Sequence, residues 1–230
     1  MNAEEKRFPA TRRAMRSLSI RARSHIGRWQ RDSEGVAAIE FAFIVPIMSM
    51  MFMGAVELSQ AITVDRRVTQ VANSVADLVA RAESSISQTE IGDIMKIGGY
   101  IMEPGSAGPL QIVLRNVTSS PTNVSNTKQS WTCTYDGDNG AGGTPTQTCT
   151  CTNTAQTVPA SLITTNDTVV VAEVTYDYRP VVFDFFLKKA FSGSGTPGSY
   201  ALTQTVYMKP RSQTAMLLQA NGTPCPSPTF

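Results

Sequence analysis

The sequence predicts an α+β chain in which one long apolar helix near the N-terminus precedes an antiparallel sheet with packed helices. Three observations predict it. An apolar run fills Val36 to Val56. From residue 61 to 104 the apolar residues recur at helical spacing, and from residue 110 the period changes to two. Four segments follow: a basic leader (1–35), a transmembrane helix (36–60), two helical stretches (61–104) and a β-rich domain (105–230).

The leader sets the electrostatics. Residues 1–35 carry nine basic side chains (Lys6, Arg7, Arg12, Arg13, Arg16, Arg21, Arg23, Arg28 and Arg31) against four acidic ones. The remaining chain holds 11 basic and 14 acidic residues, so its net charge is −3 while the whole chain is +2. A nucleic-acid binder keeps its positive charge on the folded domain, so no nucleic-acid partner is expected.

The run VAAIEFAFIVPIMSMMFMGAV contains one ionisable residue, Glu40. About 20 apolar residues span a bilayer, and a core helix of a globular protein would show a polar face that this run lacks. The basic flank places the N-terminus in the cytoplasm and the bulk of the chain outside, with the lipid bilayer as an obligatory partner. A cleaved secretory signal is the main competitor. Its apolar region is shorter and ends in a small-x-small site, whereas Glu57, Leu58, Ser59 and Gln60 follow here. A mitochondrial presequence fits the Arg/Ser-rich leader but not Glu4 and Glu5.

Charge within hydrocarbon is costly, so Glu40 requires a reason. Glu40 and Glu57 are 17 residues apart, about 25 Å along a helix, which sets them near opposite edges of a bilayer. Glu57 then reads as an interfacial carboxylate, while Glu40 lies one turn inside the run. A cut between Gly35 and Val36 would make Glu40 the fifth residue of the shortened chain. The new α-amino group is protonated near neutral pH and would attract a carboxylate of its own or a neighbouring subunit in a low-dielectric bundle. Pro46 removes a backbone donor inside the run and predicts a kink.

Residues 31–61, RDSEGVAAIEFAFIVPIMSMMFMGAVELSQA, resemble type IV pilin-like proteins, and among them the TadE/TadG-like subunits of tight-adherence (Flp) pilus machines. The resemblance rests on the basic leader, Gly35 before the cut, Glu40 followed by the aromatic Phe41, and the exit Gly54-Ala55-Val56-Glu57-Leu58. Phe41 stands where processed members often carry Tyr. The resemblance implies a minor pilin or assembly factor of a Tad/Flp-type pilus or secretion machine, held in a bacterial inner membrane with a periplasmic C-terminal domain. Its implied partners are other pilin-like subunits, the pilus assembly platform and a prepilin peptidase. Assembly and charge pairing would fall to Glu40, Phe41 and Glu57.

Beyond Ala61, Val64, Val68, Val71, Val75 and Leu78 form a narrow stripe that Val79 and Ala82 widen, an amphipathic stem. Such a stripe more often packs on its own domain than on a partner helix. Ser87-Gln88-Thr89-Glu90 is a capping box with Ile86 and Ile91 as its hydrophobic staple. The helix it starts follows Ile91, Ile94, Met95, Gly98, Ile101 and Met102, and ends at Pro104-Gly105. Strands are expected at Leu110-Ile112-Leu114, Trp131-Cys133-Tyr135, Val170 to Tyr178 before Pro180, and Tyr200 to Met208 before Pro210. Phe183–Phe191 suits a short helix; 136–146 and 192–198 read as loops. The weak likeness to the same family extends to Val174–Pro180 and Pro210-Arg211.

Cys133, Cys149, Cys151 and Cys225 all lie on the outer side, where disulfides persist. Cys149 and Cys151 are too close to pair easily, so each is expected to join Cys133 or Cys225. A zinc site is the rival, but the spacing has no Cys-x-x-Cys knuckle and no nearby histidine. Asp136 and Asp138 resemble the start of a calcium loop without its closing acid. Four Asn-x-Ser/Thr sequons, among them Asn116-Val117-Thr118, reflect Asn/Thr richness.

His25, in the leader, is the single histidine. The outer domain therefore lacks a Ser-His-Asp or Cys-His device, and no phosphate-binding loop occurs. No catalytic residue, cofactor or metal is expected. The alternative to the pilus subunit is a permanently tethered extracytoplasmic binding module, such as an envelope sensor or adhesin.

Overall fold

A computed structural model of the chain describes residues 35–82, 84–137, 144–180, 199–211, 216–220 and 222–230. The basic leader, the short helix expected over Phe183–Phe191 and the 192–198 loop lie outside these residues, as does the middle of the 136–146 stretch with Asp138. The fold is α+β: a long apolar helix, a second helix, and antiparallel sheet.

Helix α1 runs from Gly35 to Ala80 without interruption, with Pro46 inside it. The chain divides into two compact units at Gly54/Ala55. In the first, the described part is the opening half of α1, whose large apolar side chains are exposed. In the second, the same helix buries a wide stripe: Val68, Val71, Ala72, Val75, Ala76 and Val79. Val79, not Leu78, completes that stripe, because a straight helix drifts away from a strict heptad and its buried face must follow the domain it covers. The stem thus packs on its own domain.

Two small elements follow, strand β1 (Ser85–Ser87) and helix α2 (Gln88–Ile101). The capping box is present: the Glu90 N–H donates to Ser87 Oγ at 3.2 Å and the Ser87 N–H donates to Glu90 Oε2 at 2.8 Å. Two of the helix's orphan donors are satisfied in this way. These hydrogen bonds hold the exposed Glu90 carboxyl below its ordinary range, the Ser87 backbone bond foremost and the Ser87 hydroxyl next. Ile86 and Ile91 are both buried in the core, as the staple requires.

The main sheet contains β2 (Leu110–Ser119), β3 (Thr127–Asp136), β4 (Thr146–Ala155), β5 (Thr168–Tyr178) and β6 (Tyr200–Met208), in the order β4-β3-β2-β5-β6. All four pairings are antiparallel. Inward residues Leu110, Ile112, Leu114, Trp131, Cys133, Ala172 and Val174 form one core with the buried stripes of α1 and α2. On the other face Arg115 pairs with Glu173 at 2.6 Å. There, Val117, Val158, Ile163, Val169 and Val171 make a second, smaller cluster.

A small sheet joins β1, β7 (Leu217–Ala220) and β8 (Thr223–Pro224), with β1 parallel to β7. It closes the core through Met216 and Leu218, both 0% exposed. Two disulfides fasten this side: Cys133 to Cys149 between β3 and β4, and Cys151 to Cys225 between β4 and the C-terminal tail. Each of the neighbouring pair Cys149 and Cys151 therefore joins one of the two distant cysteines.

Candidate functional site

The residues singled out by sequence fall into two groups, which the structure treats differently. Gly35, Val36, Glu40, Phe41 and Pro46 all lie on the opening half of α1. Glu57 and the cysteines belong to the second unit.

The first group sits on a helix whose large apolar side chains are exposed among the described residues. Phe41, Phe43, Met51 and Phe52 are each at least 68% exposed. An 18-residue window of this helix has mean hydropathy 2.1, and none of it is buried. An exposed apolar surface of that extent marks a membrane or interaction surface. From Val36 to Val56 the helix rises about 30 Å, the thickness of a hydrocarbon core. By length and composition this is a single candidate membrane span near the N-terminus.

Within that span Glu40 is exposed and makes no ion pair with any described residue. Ser49 turns its hydroxyl back onto the Val45 carbonyl at 2.7 Å, which spares an apolar surface an unsatisfied donor. At Gly35 an added Cβ would meet nothing within 4 Å, and the backbone is not left-handed. Among the described residues, nothing packs closely enough to call for glycine at that position.

Glu57, expected as an interfacial carboxylate, also has a place in the domain's own packing. It is 7% exposed, buried within the second unit near the end of β5. There the Tyr178 hydroxyl is pushed above its ordinary range, by burial first and by the Glu57 and Tyr176 side chains after it. A shallow, open depression of about 260 Å³ lies beside it, lined by Ser59, Gln60, Thr63, Val64, Arg67 and Tyr178. Arg67 donates to the Met102 carbonyl at 3.0 Å, tying α1 to the end of α2. Glu57 thus works inside the domain's own packing, which a hydropathy reading could not register.

Among the described residues no three of the His, Cys, Asp and Glu side chains gather as metal ligands do, and no cysteine is free. His25 and Asp138 lie outside those residues. Asn116, of the first sequon, is 0% exposed and donates to Ser130 Oγ and the Met216 carbonyl, so it is closed to modification in the folded domain.

Residues 35–77 match the family of TadE-like proteins. The matched segment takes in Gly35, Glu40, Phe41 and the Gly54–Leu58 exit on which the resemblance rested. No curated protein and no solved structure matches the chain.

Proposed function

We propose, from a helix that is TadE-like over residues 35–77, that this chain is a pilin-like minor subunit or assembly factor of a Tad/Flp-type pilus or secretion machine. The observation that carries the proposal is the junction within one helix of two surfaces. Up to Val56 its apolar side chains face outward, and from Val68 its stripe is buried in the chain's own domain. The outward half serves a bilayer and then neighbouring pilin-like helices, both of which accept an all-round apolar surface. The leader, by its charge, stays in the cytoplasm of an inner-membrane protein whose domain is periplasmic.

Gly35 has a role in this scheme that packing does not give it: it is the residue after which a prepilin peptidase cuts. The cut leaves the Val36 ammonium close to Glu40. In a bundle of such helices the ammonium of one subunit and the carboxylate of the same or the next one offset each other's burial. That pairing sets the axial register between subunits before the assembly platform moves them. The chain's role is structural and non-catalytic, with no cofactor.

Intact mass and N-terminal sequencing of membrane-extracted protein, made with and without a prepilin peptidase, test the reading. A chain beginning at Val36 only in the presence of the peptidase is the expected result. A Met1 start in its presence overturns processing and favours the tethered binding module.

A further inference from the structure

The edge strand β4 has the sequence TQTCTCTNTA, five threonines alternating with five other residues. Its pairing with β3 sets Thr134 opposite Thr148, Cys133 opposite Cys149, and Thr132 opposite Thr150. A slip of two residues would set Thr134 opposite Thr150, Cys133 opposite Cys151 and Thr132 opposite Thr152. Because the side-chain period of a strand is two, such a slip turns no side chain to the wrong face. Here it also replaces threonine by threonine and cysteine by cysteine. The pattern that normally fixes register is therefore nearly silent on this strand.

The connection does not supply what the pattern lacks. Short turns dictate hairpin register, but nine residues, 137–145, rich in glycine, separate β3 from β4. Cys149 packs against the main core, and several register-specific contacts are hydrogen bonds at a half-open edge. Gln147 donates to the Gln88 carbonyl at 3.0 Å, Gln129 to Thr154 Oγ1 at 2.6 Å, and Asn153 to Thr229 Oγ1 at 2.9 Å. Such bonds are individually weak.

We infer that the second disulfide decides the first: capture of Cys151 by Cys225 removes the competing thiol and locks β4 in its native register. In the slipped form Cys133 is bonded to Cys151, and Cys149 is free. The Cys149 thiolate attacks the Cys133 sulfur, the Cys133–Cys149 bond forms, and Cys151 leaves as thiolate. No net oxidation occurs in that step. The Cys151 and Cys225 thiols then give two electrons and two protons to a disulfide oxidant, of protein or glutathione type, which is reduced to two thiols. Once that bond exists, Cys151 can no longer reverse the exchange. Cys225 is well placed to hold it, being 2% exposed and anchored by its own N–H to the Leu218 carbonyl at 2.8 Å.

The full-length Cys225→Ser chain, produced in an oxidising compartment and acid-quenched, tests this. Its free thiol is alkylated and located by fragment mass spectrometry. Label on both Cys151 and Cys149 is expected, with the slipped isomer reaching at least about a tenth of the molecules, a competitor within about 1.4 kcal/mol. Label confined to Cys151, or found on Cys133, overturns the proposal. Should that variant fail to accumulate, the Cys149→Ser/Cys225→Ser chain gives an independent reading. It should form a Cys133–Cys151 disulfide; if both thiols stay reduced under conditions that oxidise the wild type, the two-residue slip is not accessible and the inference fails.

Discussion

The side chains of Asn116 and Trp131 donate to one and the same acceptor, the Met216 carbonyl, at 3.1 and 2.9 Å. Both are 0% exposed. They belong to adjacent strands, β2 and β3, and stand opposite each other in register beside a bulge. The shared carbonyl precedes β7, so a single backbone group joins the large sheet to the small one. Asn116→Ala removes this bond and the one to Ser130 Oγ, and leaves Ser130 buried with one partner fewer. A loss of about 1–3 kcal/mol is expected, read from denaturant unfolding of the detergent-solubilised chain, with Trp131→Phe costing less.

Gly98 is required by its neighbours. A Cβ there would approach Ile112 Cδ1 to 2.8 Å and Val71 Cγ1 to 3.0 Å, where α2 meets β2 and α1. Gly98→Val should destabilise by about 1–3 kcal/mol through overpacking, measured as a lower midpoint in the same unfolding experiment. Gly35→Ala, with open space around it, should leave the midpoint unchanged while abolishing processing.

Acid should weaken the β5–β6 end of the sheet through Asp167. Burial raises its carboxyl, but the Lys209 ammonium, the Thr164 and Thr168 N–H groups and the Thr164 hydroxyl together pull it below 3.8. Lys209 lies 2.6 Å away. A depressed folded pKa contributes stability that is present above the unfolded value and lost as pH falls through the folded one. Stability should therefore decline below about pH 4, and Asp167→Asn should flatten that decline while lowering stability at pH 7.

Ser87→Ala opens the capping box. A cost of about 1 kcal/mol is expected, visible as faster amide exchange over the first turn of α2. Glu90→Gln keeps the reciprocal hydrogen bond with less charge and should cost less than Ser87→Ala.

Glu40→Gln leaves the domain intact, since Glu40 touches none of its core. Under the proposed function it should reduce incorporation into the assembled pilus without changing membrane insertion, measured by fractionation of cells and sheared filaments. Undiminished assembly would remove the charge-pairing role.

What was legible in the sequence depended on local signals. The Ser87–Glu90 box, the Val170–Tyr178 alternation stopped by Pro180, and the Tyr200–Met208 strand are written within a few residues each, and the fold follows them. Strand β4 was not legible, because threonine alternating with cysteine, glutamine and asparagine carries no hydrophobic alternation for a periodicity to detect. Nor were β1 and β7, which are three and four residues long; Ser85 pairs with Leu217 far along the chain, and β7 is held on its other edge by β8. The long apolar helix was legible through hydropathy. The burial of Glu57 was not legible, because no spacing near residue 57 announces the strand end at Tyr178 that lies beside it.

The core of the second unit is built partly from Val68, Val71, Val75 and Val79, the last turns of the same helix that begins at Gly35. The valines that build this core therefore belong to the same helix as the exposed apolar residues before Val56. A soluble fragment must retain the helix from at least Glu57 onward, and with it the exposed Leu58 and Ile62. Cutting the chain within the last turns of this helix would cut into the domain's own hydrophobic wall.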